Sequence, residues 1–288
     1  MKHTGIHSSQ RHYRSPSCGI RGPHLRTVCV CDCLGQKREM DILETNAFDR
    51  RQRRNTCCVL FLYLLPFFAS CTLYFYLWIP DSAPSLLAAG IKAAPILSLV
   101  FLVFSYNGGR SLMGVAGGLL LSAGGDCCLI WPELFIHGMS CFALAHLLYS
   151  FSFLSSRYSA ISSSFSFYIL YLPLWLIGGG LYVYLVPFLR LDPEADVLVP
   201  AIGGYVLLIV IMATLAVRTR RPLVLLGSLV FMASDLTIAL TKFNVFDIEY
   251  ERHIIMTTYY LAQLMIALGD VKAVLEEDAD DIHKWKRS

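Results

Sequence analysis

Eight apolar stretches follow one another between residues 57 and 273, each about as long as a membrane-crossing helix and almost free of charge. A hydrocarbon core about 30 Å thick takes roughly 20 apolar residues as an α-helix. The qualifying windows are residues 57–79, 83–105, 110–131, 134–155, 161–188, 196–217, 222–242 and 253–273. The chain therefore reads as an all-α polytopic membrane protein, a bundle of about eight transmembrane helices. Composition agrees: 56% of the 288 residues are hydrophobic and 16% charged, whereas soluble domains carry about 25% charge. A soluble globular enzyme, a disordered chain and a coiled coil are excluded. Residues 1–56 hold 11 Lys/Arg against 5 Asp/Glu. These basic residues flank apolar runs and build no face of their own, so a nucleic-acid partner is excluded as well.

Loop charges set the orientation. Thirteen Lys/Arg fall on one side of the expected bundle, against Arg190, Lys242 and Arg252 on the other. The positive-inside rule makes the basic side cytoplasmic, which puts both termini there and requires an even number of spans. The fifth window is long and carries Pro173 and Gly178-Gly179-Gly180. It reads as one tilted or kinked helix, with two short re-entrant pieces as the alternative. The first apolar run begins too far into the chain for a cleaved signal peptide and is expected to be retained. Three regions result: a basic head over 1–56, expected to be disordered; a transmembrane domain over 57–275; and a cytoplasmic tail over 276–288. The tail ends Lys284-Trp285-Lys286-Arg287-Ser288, with lysines third and fifth from the end. This resembles the dilysine retrieval signal of endoplasmic-reticulum membrane proteins, a plain basic tail being the alternative. The endoplasmic reticulum is the expected location.

The ten cysteines do not form a disulfide framework. Cys57, Cys58, Cys71, Cys127, Cys128 and Cys141 lie in or at spans, where small apolar packing is the usual role. Cys18, Cys29, Cys31 and Cys33 lie in the cytoplasmic head, where thiols stay reduced. Cys29, Cys31 and Cys33 lack the partner histidines of a zinc site. Cys57 and Cys58, at the membrane edge, suit palmitoylation better.

The informative residues are ionisable groups inside spans. A charge near the bilayer centre costs about 2.5–3.5 kcal/mol on insertion scales and is tolerated mainly where it lines a site. Four stand out: Lys92 in the second span, Asp126 in the third, His146 in the fourth and Asp235 in the seventh. Tyr259 and Gln263 in the eighth are neutral companions. At 1.5 Å per residue, Asp126 lies roughly 24 Å beyond Arg110 and Asp235 roughly 21 Å beyond Arg221. Lys92, His146 and Gln263 lie about 15–18 Å from the lumenal ends of their spans. All five are therefore expected in one layer between the midplane and the lumenal side. His146 shares a helix face with Tyr149 and Ser150, and Tyr259 with Gln263. Asp235 shares a face with Lys242 at the rim. Gly117, Gly118, Gly124 and Gly125 offer a small-residue surface that would bury Asp126 among helices.

Two short echoes accompany these positions. Ser122-Ala-Gly-Gly-Asp126 resembles Phe231-Met-Ala-Ser-Asp235, and Leu144-Ala-His-Leu-Leu148 resembles Leu261-Ala-Gln-Leu-Met265. A 4+4 parallel repeat would produce them, and so would chance in apolar sequence. The bland reading of either aspartate is an ion pair with Lys92 that merely holds helices together.

The motifs carrying these residues resemble those of the transmembrane lysoplasmalogenases, the YhhN-like hydrolases. They are Ile91-Lys92-Ala-Ala-Pro95, Gly125-Asp126-Cys-Cys-Leu-Ile-Trp131, His137-Gly138, Phe142-Ala-Leu-Ala-His146-Leu-Leu-Tyr149, Ser234-Asp235-Leu-Thr-Ile-Ala-Leu-Thr-Lys-Phe243 and Thr258-Tyr259-Tyr260-Leu-Ala-Gln263. Their order and span placement cover nearly all of residues 57–273, while the long cysteine-containing head departs from the family core. The resemblance implies hydrolysis of the sn-1 vinyl ether of lysoplasmenylethanolamine or lysoplasmenylcholine, giving a fatty aldehyde and a glycerophosphodiester. The implied partners are that lipid, water and the bilayer, with no cofactor and no metal; a homo-oligomer is allowed.

Such an ether is opened by protonating its alkene carbon, which creates an oxocarbenium ion that water captures. One carboxylic acid kept protonated by apolar surroundings can donate, and a second carboxylate can stabilise the cation or activate water. Asp126 and Asp235 are the expected catalytic pair, with their roles unassigned. Lys92, His146, Tyr149, Tyr259 and Gln263 are the expected orienting or substrate-binding groups. Three alternatives stand beside this reading. One is a transporter with a mid-membrane Asp/Lys site. Another is a metal-dependent lipid hydrolase using His137, His146 and His253 with an aspartate. The last is an intramembrane aspartyl protease, whose glycine-rich motif Gly124-Gly125-Asp126 superficially resembles.

Overall fold

The computed structural model describes residues 57–77, 83–107, 112–158, 169–246 and 249–285. The basic head, with Cys18, Cys29, Cys31 and Cys33, lies outside the described residues, as do Lys286, Arg287 and Ser288. Every regular element described is helical. In chain order these are α1 (Cys57–Leu77), α2 (Leu86–Asn107), α3 (Val115–Cys128), α4 (Phe135–Leu154), α5 (Tyr171–Leu189), α6 (Ala195–Thr219), α7 (Pro222–Lys242) and α8 (Glu251–Trp285). Short 3₁₀ turns at Pro132–Leu134 and Ser156–Tyr158 flank α4.

Among the described residues, seven helices are long and apolar enough to cross a membrane, and α3 is the exception. The chain is a multi-pass membrane protein. The third window, expected over 110–131, yields a helix of only 14 residues, about 21 Å long. Leu112–Gly114 turn into it, and a turn at Leu129–Trp131 followed by Pro132 ends it. Asp126 consequently sits in the last turn of α3, beside a loop. Among the described residues the fifth window yields one helix, α5, unbroken from Tyr171 to Leu189. Pro173 falls in its first turn, where backbone N–H groups have no helical partner to lose. Gly178 faces Val210 of α6 so closely that a methyl group there would collide.

Tight connections fix the packing order. Between α6 and α7, Arg220 takes a left-handed conformation (φ 54°) as the helix cap, and Pro222 opens the next helix. The Thr219 hydroxyl donates to the Ala216 carbonyl and accepts from the Arg221 amide. The hairpin of α3 and α4 closes through glycine. A methyl group on Gly125 would come within 2.7 Å of the Phe142 ring, and one on Gly118 would strike the Tyr149 ring. Close helix approach at these two positions is what the small-residue run permits. The central core gathers Ile96 and Leu99 of α2, Leu119 of α3, Ala145 of α4 and Ala262 and Ile266 of α8. Outward faces stay apolar, as Leu172, Leu176 and Val183 of α5 show.

α8 runs 35 residues without a break, about 52 Å, past Leu275 where the membrane domain was expected to end. Just past the middle of this helix Asp270, 1% exposed, receives hydrogen bonds from the Tyr158 hydroxyl (2.6 Å) and the Asn107 amide (3.2 Å). Arg157 lies 3.5 Å from the same carboxylate, and Arg221 pairs with Glu276 at 2.6 Å. This cluster fastens α2, α4, α7 and α8 at one end of the bundle. The described cysteines, Cys57, Cys58, Cys71, Cys127, Cys128 and Cys141, are all free thiols.

Overpacking a tight core contact costs about 1–3 kcal/mol. Gly125→Ala should therefore lower the thermal unfolding midpoint of the purified protein. Gly179→Ala, where a methyl group meets nothing within 4 Å, should leave it unchanged or raise it slightly.

Candidate active site

Two polar clusters lie side by side in the bundle, each built on one aspartate. In the first, Asp126 is 2% exposed. The Tyr259 hydroxyl donates to its Oδ2 at 2.7 Å, and the Lys92 ammonium stands 3.8 Å from its Oδ1. Lys92 is placed by α2 next to Pro95, whose ring interrupts the helical ladder, and the Tyr260 hydroxyl donates to the Lys92 carbonyl at 2.8 Å. Beside this group, the Tyr149 hydroxyl donates to Gln263 Oε1 at 2.7 Å, with Ser122 Oγ 3.5 Å away. The amide nitrogen of Gln263 is buried and has no partner among the described residues.

The second cluster holds Asp235 between α4, α6 and α7. The Tyr205 hydroxyl donates to Asp235 Oδ2 at 2.6 Å, and His146 Nε2 is 3.2 Å from the same oxygen. Tyr205 and His146 are themselves 3.1 Å apart, and His146 Nδ1 lies 3.3 Å from the Met212 sulfur. His146 is fully buried, whereas the Asp235 side chain retains 12% exposure. Phe231 stands between the clusters, its ring 4.7 Å from His146 and 5.6 Å from Tyr259, both edge-on. The two aspartates thus have separate partners. Each is met by a helix from the other half of the chain, Asp126 by α8 and Asp235 by α4.

The residual exposure of Asp235 opens onto a cavity of about 100 Å³ between α4, α5, α6 and α7. Its wall is apolar except for Asp235 and Tyr205, with Met139, Leu185, Ile202 and Val206 typical of the rest. A second, larger cavity of about 500 Å³ lies at the end of the bundle where α3 and α7 finish and α8 begins. Charged residues line it: Lys92 at depth, then Lys242, Glu251 and Arg252. Leu129, Phe135 and Ile238 belong to the walls of both cavities. The first is a greasy slot and the second a charged vestibule, and they adjoin.

The seven residues singled out from the sequence fall into this geometry, but the arrangement was not foreseen. The residues expected in one layer group into two clusters with Phe231 between them. Tyr205 was missed, although a signal existed. It lies 15 residues before Arg220 as Asp235 lies 14 residues after Arg221, so the same depth count applied to hydroxyl groups would have found it. Phe142 and Phe231 carried no signal among so many apolar aromatics. Among the described residues no group of three or more His, Cys, Asp or Glu side chains comes together that could hold a metal ion.

Residues 87–269, which carry both clusters, match the YhhN family model. The chain belongs to the YhhN family. Among YhhN-type relatives, the chain is 38% identical over 210 residues to the lysoplasmalogenase TMEM86B of Sus scrofa, covering 72% of this chain and 85% of the relative. It is 37% identical over 224 residues to the human lysoplasmalogenase TMEM86B, covering 77% and 90%. Against the human lysoplasmalogenase TMEM86A the identity is 34% over 231 residues, covering 73% and 89%. No solved structure matches this YhhN chain.

Removing one member of a buried ion pair strands the other charge, at about 3–5 kcal/mol. Lys92→Met should accordingly lower the unfolding midpoint sharply. Adding Asp126→Asn should recover part of the loss, giving a coupling of about 0.5–3 kcal/mol in the double-mutant cycle. Strictly additive midpoints would show the pair to be energetically idle.

Proposed function

We propose that this YhhN-family protein is a lysoplasmalogenase, hydrolysing the sn-1 vinyl ether of a lysoplasmenyl lipid to a fatty aldehyde and a glycerophosphodiester. Its relatives carrying that name support the reaction. The observation that carries the site is the place of Asp235, a partly exposed carboxyl in the wall of an otherwise apolar slot. The slot suits the alkenyl chain, and the vinyl ether then lies against Asp235.

In this reading the Asp235–His146–Tyr205 cluster stores and delivers the proton. The alkene carbon takes the proton, and the neighbouring carbon becomes an oxocarbenium ion sharing charge with the ether oxygen. An adjacent carboxylate stabilises that cation, as in glycoside cleavage. Water adds to the cationic carbon and returns a proton to Asp235. The hemiacetal then breaks, releasing aldehyde and the glycerol hydroxyl. The aromatic screen around His146 and Asp235 keeps their interaction strong by excluding bulk water. Asp126, Lys92 and Tyr259 order the water that enters from the vestibule, and the spare amide of Gln263 gives that water a donor. Vinyl ethers need acid at one carbon and water at its neighbour; Asp235 serves the first, and the Lys92–Asp126 cluster feeds water to the second from the vestibule that adjoins the slot.

The carboxy-terminal lysines support residence in the endoplasmic-reticulum membrane. Microscopy of the full chain beside a Lys284→Ser/Lys286→Ser variant tests this, since loss of the signal should move the protein onward.

Proton transfer by a positioned side chain contributes about 10²–10⁴-fold to rate. Asp235→Asn should therefore lower aldehyde release from lysoplasmenylethanolamine in purified membranes at least a hundredfold. Asp126→Asn should also lose activity. Full release by both variants would sink the assignment.

A further inference from the structure

The vinyl ether chemistry makes no use of the charges at the outer part of the vestibule. Lys242 comes from the last turn of α7, and Glu251 and Arg252 from the first turn of α8. Trp131, on the turn after α3, adds an aromatic wall. Cations and an anion side by side in one water-accessible cavity complement a zwitterion. We infer that the vestibule is the binding site for a zwitterionic phosphodiester, the glycerophosphoethanolamine or glycerophosphocholine end of the lysolipid. Lys242 and Arg252 hold the phosphate, and Glu251 holds the ammonium. This assignment rests on the reading of the apolar slot as the alkenyl-chain site.

Three observations converge on it. First, the Lys242 ammonium sits 5.1 Å over the ring of Phe135, a residue in the walls of both cavities, so the cation stands at the junction of slot and vestibule. A phosphate there has its glycerol pointing into the slot. Second, Lys242 follows Asp235 by seven residues on α7, about 10 Å along the axis. The extended glycerol unit between the phosphate and the vinyl ether covers more than half of that rise, and the Lys242 side chain, leaning toward the helix N-terminus, covers the rest, so a phosphate at Lys242 puts the ether at Asp235. Third, Glu251 and Arg252 are neighbours on α8, which separates negative from positive charge on the scale of a phosphoethanolamine. A quaternary ammonium would also pack on the indole of Trp131.

Calorimetric titration of the purified full chain in lipid nanodiscs tests the site, with glycerophosphoethanolamine and inorganic phosphate as separate probes. Charge-assisted hydrogen bonds are worth about 1.5–3 kcal/mol, tenfold or more in affinity. Lys242→Ala should weaken both probes at least tenfold, and Lys242→Arg should restore most of that loss. Glu251→Gln should weaken glycerophosphoethanolamine about tenfold while changing phosphate less than twofold. Glycerophosphoethanolamine affinities within twofold of wild type in both Lys242→Ala and Glu251→Gln would overturn the inference, as would wild-type protein that binds neither probe. Wild-type binding of glycerophosphoethanolamine without aldehyde release from lysoplasmenylethanolamine would remove the reaction and leave the headgroup site standing.

Discussion

A carboxylate shut inside a helix bundle has to be met by a cation or by donors, because bulk water does not surround it. Asp126 is the case on which the rest of this structure depends. Lys92 brings α2 to it and Tyr259 brings α8. The glycines of α3 let α4 approach until Phe142 and Tyr149 close over the same region. Four helices are thereby held to one point by a need for charge compensation that lipid cannot meet. Apolar packing alone would not select this arrangement, since lipid chains compete equally well for apolar faces.

Asp235 lives under different terms. Its contacts with Tyr205 and His146 both fall on Oδ2, and part of the side chain remains open to the slot. A group whose polar needs were fully met inside the bundle would have little left to offer a substrate. One aspartate is thus almost fully enclosed and the other half-open, although both stand at similar positions in similar short motifs. Phe231 keeps the two sets of partners distinct, touching His146 on one side and Tyr259 on the other.

Much of this was legible in the chain itself. Apolar length marks a span because the bilayer sets the length, and α2, α4, α6 and α7 fall close to their expected windows. The scarcity of charge inside the spans made Lys92, Asp126, His146 and Asp235 visible. α3 was harder, because a window of apolar residues does not show where turns cut it, and Leu129–Trp131 are as apolar as the helix they end. Tyr205 hid among aromatics that mostly face lipid. Asp270 hid for another reason. So near the end of a span, beside Lys272, an acid looks solvated, and only the convergence of Asn107, Arg157 and Tyr158 from distant parts of the chain buries it. Long-range contacts of that kind leave no mark on local spacing.

The unbroken length of α8 ties together clusters that otherwise sit far apart. One continuous helix carries Glu251 in the vestibule, Tyr259 and Gln263 at the buried carboxyl cluster, and Asp270 and Glu276 at the ion-pair cluster beyond them. A straight helix has one phase, so these side chains are indexed to each other at 100° per residue. The ion pairs at the far end therefore act as a key that sets the rotational angle of the face carrying Tyr259 and Gln263, and a change of one residue in the length between Gln263 and Asp270 would turn the two out of step.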